Sequence, residues 1–201
     1  MENNHKPHVS IGLPVYNGQK YLEEALISIL NQSYSDFELI ISDNASTDQT
    51  QAICYAYMAK DNRIRYYRND KNLGVAPNYN RVYEVSLGDY FKWADYDDIL
   101  APDFLYKSVE TLDQNPEVVA CFPRVKLIDA QGKFLEDYDP LPDTSSPNAH
   151  ERFRNLIIDT RRAVQAMGLM RSSIIRKTGL HRSFPSSDEV FIAEMALYGC
   201  V

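Results

Sequence analysis

Hydrophobic positions along the first part of the chain fall into two alternating rhythms. His8 to Val15 (HVSIGLPV) is a β-rich run halted by Pro14, and it predicts a strand. Tyr21, Leu22, Ala25, Leu26, Ile29 and Leu30 then recur at i, i+1, i+4, i+5, i+8 and i+9, which is one stripe of a helix. Phe37 to Ser42 (FELIIS) is continuously apolar but for its acid, as in a strand buried on both faces of a parallel sheet. Ser46 and Gln49 have the spacing of a capping box and predict a helix running to about Lys60. Ile64 to Tyr67 (IRYY) is a short third strand. This β-α-β-α-β order predicts a parallel, right-handed, doubly wound opening.

The pattern continues through the glycine turn Asn72 to Ala76 into a helix over Pro77 to Ser86, with Pro77 suited to a first turn. Tyr90 to Ala94 (YFKWA) predicts a fourth strand, Pro102 to Asn115 a helix, and Val118 to Phe122 a fifth strand. A hairpin follows, turning at Asp129-Ala130-Gln131-Gly132. Asp137 to Asn148 holds three prolines among small polar residues and is expected to be a mobile loop. Helical spacing returns at Glu151 to Asp159 and again from about Asp188 to Tyr198. The fold class expected is α/β, with a mostly parallel sheet flanked by helices. We expect the front part of a longer protein, because the last helix is followed at once by the end of the chain. No internal repeat is visible.

Composition narrows the function. At 201 residues, 44% apolar and 24% charged, the chain has the make-up of one folded domain. No stretch approaches the roughly 18 consecutive apolar residues of a membrane span. Met1 to Pro7 are polar and carry no apolar core of a secretory signal. The net charge of −7 argues against a nucleic-acid partner, which calls for a positive surface. Cys54, Cys121 and Cys200 are far apart and odd in number, which suits a reducing compartment better than a zinc site or disulfide framework. A cytoplasmic location is the expectation.

The chemistry is concentrated at predicted strand ends. Asp95-Tyr96-Asp97-Asp98 places three carboxylates within four residues after an apolar strand. They repel one another unless a cation sits among them, and hard oxygen donors select Mg²⁺ or Mn²⁺. The other reading is a solvated acidic turn. In open α/β sheets ligands bind beyond the carboxyl ends of the strands, where Asp43 and the Pro14-Val15-Tyr16-Asn17 junction also fall. Asp43 offers an acceptor for a base or ribose, or else an Asx turn. The ring of Tyr16 offers a stacking surface. Asn72-Leu73-Gly74 and Asn78 to Arg81 lie on the approach to the fourth strand, Arg81 as a phosphate contact or as a solvated helix residue. His5, His8, His150 and His181 show no ligand spacing and read as structural or surface residues, with His181, after a glycine turn, the exception to watch. GxSxG, GxGxxG and GxxxxGK[ST] motifs do not occur.

Taken in order, VSIGLPVYN (Val9 to Asn17), LISILNQSY (Leu26 to Tyr34), FELIISDNASTD (Phe37 to Asp48), NLGVAPNYN (Asn72 to Asn80), YFKWADYDDIL (Tyr90 to Leu100), IDAQGK (Ile128 to Lys133) and MGLMRSSIIRKTGL (Met167 to Leu180) resemble the family 2 glycosyltransferases of GT-A fold. The resemblance implies one GT-A domain, its nucleotide-sugar half over 8–100 and its acceptor half over 101–201. It implies transfer with inversion from a nucleotide-diphosphate sugar, by preference a uridine one, to a saccharide or lipid-linked acceptor. Asp95 and Asp97 would hold Mn²⁺ or Mg²⁺. Pro14, Tyr16, Asn17, Asp43, Asn72, Arg81, Asp95 and Tyr96 would hold the donor, and Gly168 with Arg171 to Gly179 would lie on the acceptor side. Asp188 falls where the family's catalytic base stands; Ser187 replaces the usual Glu before it, which leaves Glu189 as the second choice. Asp188 also reads as a plain helix cap. Peripheral membrane contact at the inner face is a further expectation. The alternatives are a non-catalytic nucleotide-sugar-binding module and a nucleotidyltransferase, the latter lacking its Gly-rich basic loop.

Overall fold

A computed structural model describes residues 6–138, 142–159 and 164–201. Strand β1 (Val9–Val15) pairs in parallel with β2 (Phe37–Asp43) and β4 (Tyr90–Trp93), and β2 pairs in parallel with β3 (Ile64–Arg68). A short strand, β8 (Leu169–Arg171), lies between β4 and β5 (Ala120–Cys121) and runs antiparallel to both. The sheet order is therefore β3-β2-β1-β4-β8-β5. A separate hairpin joins β6 (Val125–Ile128) to β7 (Phe134–Tyr138).

Helices cover both faces. On one side α1 (Leu22–Leu30), α2 (Thr50–Met58) and α4 (Phe104–Gln114) bury Leu26, Cys54 and Leu105 against Val9, Ile11, Leu13 and Val15 of β1. On the other, α3 (Val75–Glu84) and α7 (Ser187–Ala196) pack Val82, Phe191 and Met195 against Phe91 and Trp93 of β4. Helix α5 (Ala149–Asp159) lies outside α7 and buries Leu156 beside Ala193 and Ala196. The one-turn α6 (Ser172–Ile175) follows β8 directly.

The side-chain alternation of β1 explains this layering. Its odd positions are branched and fill the α1 side, whereas Ser10, Gly12 and Pro14 on the other face are small. A Cβ on Gly12 would stand 2.5 Å from Val82 Cγ2 and 2.7 Å from Phe91 Cζ. The missing side chain is what lets α3 press against the sheet at this point.

Several expectations need correction. Ser46 and Gln49 form no capping box: α2 starts at Thr50, whose N–H donates to Asp48 Oδ1, while the Ser46 hydroxyl accepts from the Asn17 N–H at 2.9 Å. The sequence pattern missed β8, which at three residues is too short to show an alternation. The strand expected over Val118 to Phe122 shrinks to Ala120–Cys121, with Val118 making an isolated bridge to Cys200. Of the expected mobile loop, Asp137 and Tyr138 belong to β7, 139–141 lie outside the described residues, and Thr144 is buried and bonded to Val201. His5 also lies outside the described residues. Among the described residues no helix is long and apolar enough to cross a membrane.

Gly12→Ala should therefore destabilise the fold by about 1–3 kcal/mol through overpacking. Urea denaturation measures this, and an unchanged midpoint would mean that α3 shifts away freely.

Candidate active site

Strands β1 to β4 are parallel, so their carboxyl ends and following loops gather at one edge of the sheet. A cleft of about 620 Å³ opens there. Gly74, Val75 and Tyr79 from the start of α3, Asp95 beyond β4, and His181 and Asp188 around the start of α7 all line it. Chain segments more than a hundred residues apart thus contribute walls to one cavity.

Asp95 is half-buried, and the hydroxyl of Tyr79 donates to its Oδ1. Loss of hydration raises the pKa of this carboxyl, with the negative charges of Asp97 and Asp188 adding to the effect; the Tyr79 bond and Lys92 oppose it. The carboxyl of Asp98 is pushed up to about 6, first by dehydration and then by Asp95 and Asp97, against the pull of Lys92. Beneath the turn, Lys92 is buried and donates to the carbonyl of Met167. Burial pushes its ammonium down to about 8, against the stabilising charges of Asp98 and Asp95. The acidic turn thus sits over one sealed cation. Among the described residues no three His, Cys, Asp or Glu side chains converge as a ready-made metal cage.

Asp188 is the second residue of α7, not its cap as one sequence reading had it. The cap position belongs to Ser186, in the left-handed region at φ 59°, without a side-chain capping bond. Asp188 lines the cleft; Glu189, one residue on, does not. The two acids diverge because consecutive helical positions point about 100° apart.

The remaining candidates lie outside the cleft lining. Pro14 is buried in β1, and Tyr16 is exposed just beyond it. Asn17, in the left-handed region at φ 53°, accepts from the Thr47 N–H at 2.8 Å and ties this junction to the loop after β2. Asp43 is fully buried: its Oδ1 accepts from the Ser46 N–H at 2.8 Å, and its Oδ2 from the Tyr66 hydroxyl at 2.7 Å and from Arg68. Its oxygens therefore serve the loop in this conformation. Asn72 Oδ1 accepts from Asn44 and from the Gly74 N–H, and Asn44 also donates to the Gly74 carbonyl, so this network reaches the cleft at Gly74. Arg81 donates to Asn69 and lies over the Tyr67 ring. Tyr96 is half-buried against Gly18, and Asp97 is exposed.

The acceptor-side reading of the segment after Gly168 is corrected in part. Arg171 pairs with Tyr90, at the amino end of β4, and donates to the carbonyls of Leu112, Asn115 and Val118. An antiparallel strand runs away from the carboxyl edge, so Met167 reaches the cleft and Arg171 does not. Sequence reasoning also missed Tyr79 and Lys92. A lone lysine inside the apolar run YFKWA was the available signal for the second; the first stands in the NLGVAPNYN motif, but nothing in the sequence gave it a role of its own.

A mostly parallel sheet with an acidic turn at its carboxyl edge, facing an acid on a late helix, defines a GT-A-type α/β domain. The chain belongs to glycosyl transferase family 2, whose model matches residues 10–179. An uncharacterized glycosyltransferase of Methanocaldococcus jannaschii is 34% identical over 137 residues, covering 67% of this chain and 47% of that protein. The chain thus spans about half the length of that relative. Staphylococcus aureus TarS 1-349, solved in complex with UDP-GlcNAc, superposes with a TM-score of 0.74 at 20% identity, covering 94% of this chain and 53% of that one. A mannosyltransferase of Pyrobaculum calidifontis, in complex with GDP-Man and Mn²⁺, superposes with a TM-score of 0.71 at 19% identity, covering 98% of this chain and 54% of that one.

The charge crowding has a measurable consequence. Because the folded-state pKa of Asp98 lies above its unfolded value of about 3.9, its stabilising contribution is complete below that value and is lost as pH rises through about 6. In EDTA, Asp98→Asn should melt above the wild type at pH 7, and the gap should close as pH falls towards 4. A gap constant with pH would mean that Asp98 does not titrate in this way.

Proposed function

We propose that the chain transfers a sugar, with inversion, from a nucleotide-diphosphate sugar, of uridine by preference, to a hydroxyl of a saccharide or lipid-linked acceptor in glycan or polysaccharide synthesis. The observation that carries this reading is that Asp95 and Asp188, from opposite halves of the chain, line the same cleft. Family membership supports glycosyl transfer, and nucleotide sugars in the structures of TarS and the mannosyltransferase support the donor class.

In this reading the diphosphate end of the donor lies by the acidic turn and the attacking hydroxyl by α7. Asp188 accepts the proton of that hydroxyl as its oxygen bonds to the anomeric carbon. The bond from that carbon to the diphosphate oxygen breaks on the opposite face, and the nucleoside diphosphate leaves. The Asn17, Asp43 and Asn72 networks hold the loops that would receive the base and ribose.

The donor set fits a divalent metal. Asp95 and Asp97 offer hard carboxylate oxygens, and Mg²⁺ commonly takes one or two carboxylates and completes its shell with phosphate oxygens and water. Mn²⁺ in the mannosyltransferase structure supports the same choice. Once bound, the cation would neutralise charge on the leaving diphosphate. With a lipid-linked acceptor, the reaction would run at the inner face of the membrane.

Uridine diphosphate with Mn²⁺ should raise the melting temperature, the gain reaching about 2.7 kcal/mol at a hundredfold excess over Kd. EDTA should remove most of it, as should Asp97→Asn; a shift indifferent to both would refute the metal reading.

Asp188→Asn should leave nucleotide affinity nearly intact while transfer falls by about 10²–10⁴-fold, the worth of a positioned base. Glu189→Gln should change transfer little. Steady-state rates with a shared acceptor compare the two, and the reverse ranking would move the base one residue along α7.

A further inference from the structure

The cleft contains one polar ring that the proposed transfer leaves unused. His181 lines it together with Asp95 and Asp188, yet the residue is only 8% exposed and its Nε2 is buried without a hydrogen-bond partner. Its backbone is clamped on both sides by one amide: Asn80 Nδ2 donates to the His181 carbonyl at 2.9 Å, and the His181 N–H donates to Asn80 Oδ1 at 3.0 Å. The ring is boxed by three others. Trp93 stands nearly perpendicular to it at 4.8 Å and Tyr79 at 5.2 Å, and Phe191 stacks at 5.4 Å. A mere space-filler in that box would be served as well by an apolar ring.

The surroundings decide what the imidazole offers. Burial pushes its pKa down to about 4 against the pull of Asp188, so it is neutral at physiological pH. A neutral imidazole has one N–H and one bare acceptor nitrogen. Aromatic faces are negative, so a nitrogen sealed among them is better placed as N–H than as a lone pair. That assigns the hydrogen to Nε2 and leaves Nδ1, which unlike Nε2 is not a sealed atom in this cleft-lining residue, as the acceptor available to a ligand. His181 touches Tyr79, which bonds Asp95, and it lies within the field of Asp188. It therefore stands between the diphosphate end and the attacking end of the cleft, where the transferred sugar belongs. An imidazole accepts from a hydroxyl there without adding a further negative charge to the acids already crowded together.

Building on the donor site proposed above, we propose that His181 is a specificity-determining residue whose Nδ1 accepts a hydrogen bond from a hydroxyl group of the transferred sugar.

Calorimetric titration of the full chain with UDP, UDP-GlcNAc, GDP and GDP-mannose, each with Mn²⁺, tests this on the wild type, His181→Phe, His181→Asn and His181→Gln. Thermal melts establish that each variant is folded. For the pair that binds, the wild type should hold the sugar form more tightly than the bare diphosphate. His181→Phe keeps a ring and removes the acceptor; it should lose that advantage, by about tenfold, while bare diphosphate affinity stays within about threefold. Asn places its amide oxygen near the Nδ1 position and should recover most of the advantage. Gln reaches the Nε2 position and should not. The proposal is overturned if His181→Phe keeps the sugar advantage, if it loses both affinities equally, if Gln rescues better than Asn, or if the wild type shows no sugar advantage. Failure of the wild type to bind any of the four ligands would instead overturn the donor-site reading, and this inference with it.

Discussion

Negative charge gathered at the carboxyl edge of the sheet is the constraint around which the molecule is arranged. Parallel strands deliver their carboxyl ends and loops to one edge, and here the end of β2 and the loop after β4 bring carboxylates into dehydrated places. The two cases are resolved differently. Asp43 is sealed but fully compensated, by Arg68, the Tyr66 hydroxyl and the Ser46 N–H. Asp95 has a single hydroxyl on Oδ1 and shares the buried Lys92 with Asp98. The first arrangement is self-sufficient and rigidifies a loop. The second keeps unbalanced charge beside a cleft, which is the condition under which a cation and an anionic ligand are bound together rather than separately.

That difference separates framework from chemistry across the site. The bonds of Asn17, Asp43, Asn44 and Asn72 mostly join one loop to another, so these residues shape the rim. The residues that line the cleft carry fewer bonds within the protein. His181 is held through its backbone and its ring neighbours, with Nδ1 left to the cleft, and Asp188 occupies the first turn of α7 without capping it. Groups left incompletely satisfied inside a protein cost stability, and they are retained where a ligand completes them.

The second half of the chain reaches the site only because of how the first half packs. Small residues on one face of β1 let α3 lie close, and the aromatic pair Phe91 and Trp93 on the same side of β4 receives α7. Trp93 then serves twice: its indole N–H donates to the Tyr79 carbonyl at the base of the cleft, and its ring supports His181. Packing and site geometry are thus one set of contacts, so His181 and Asp188 take their positions from core residues rather than from their own loops.

The sequence by itself determined the order of the elements, the parallel opening and the acidic turn at a strand end. Each of these rests on local signals: periodicity over one element, a glycine or proline at a junction, three acids within four residues. The motifs also sufficed to recognise the family, because their order is a property of the chain. Only the tertiary structure decided which acid of the pair Asp188 and Glu189 enters the cleft, that Asp43 spends its oxygens on Arg68 and Tyr66, and that β8 turns Arg171 away. It alone placed Tyr79, Lys92 and His181 at the site. These are matters of burial and partnership between residues far apart in the chain. A lysine or histidine looks the same in sequence whether water or a sealed aromatic box surrounds it, and its charge and bonding depend on which of the two it meets.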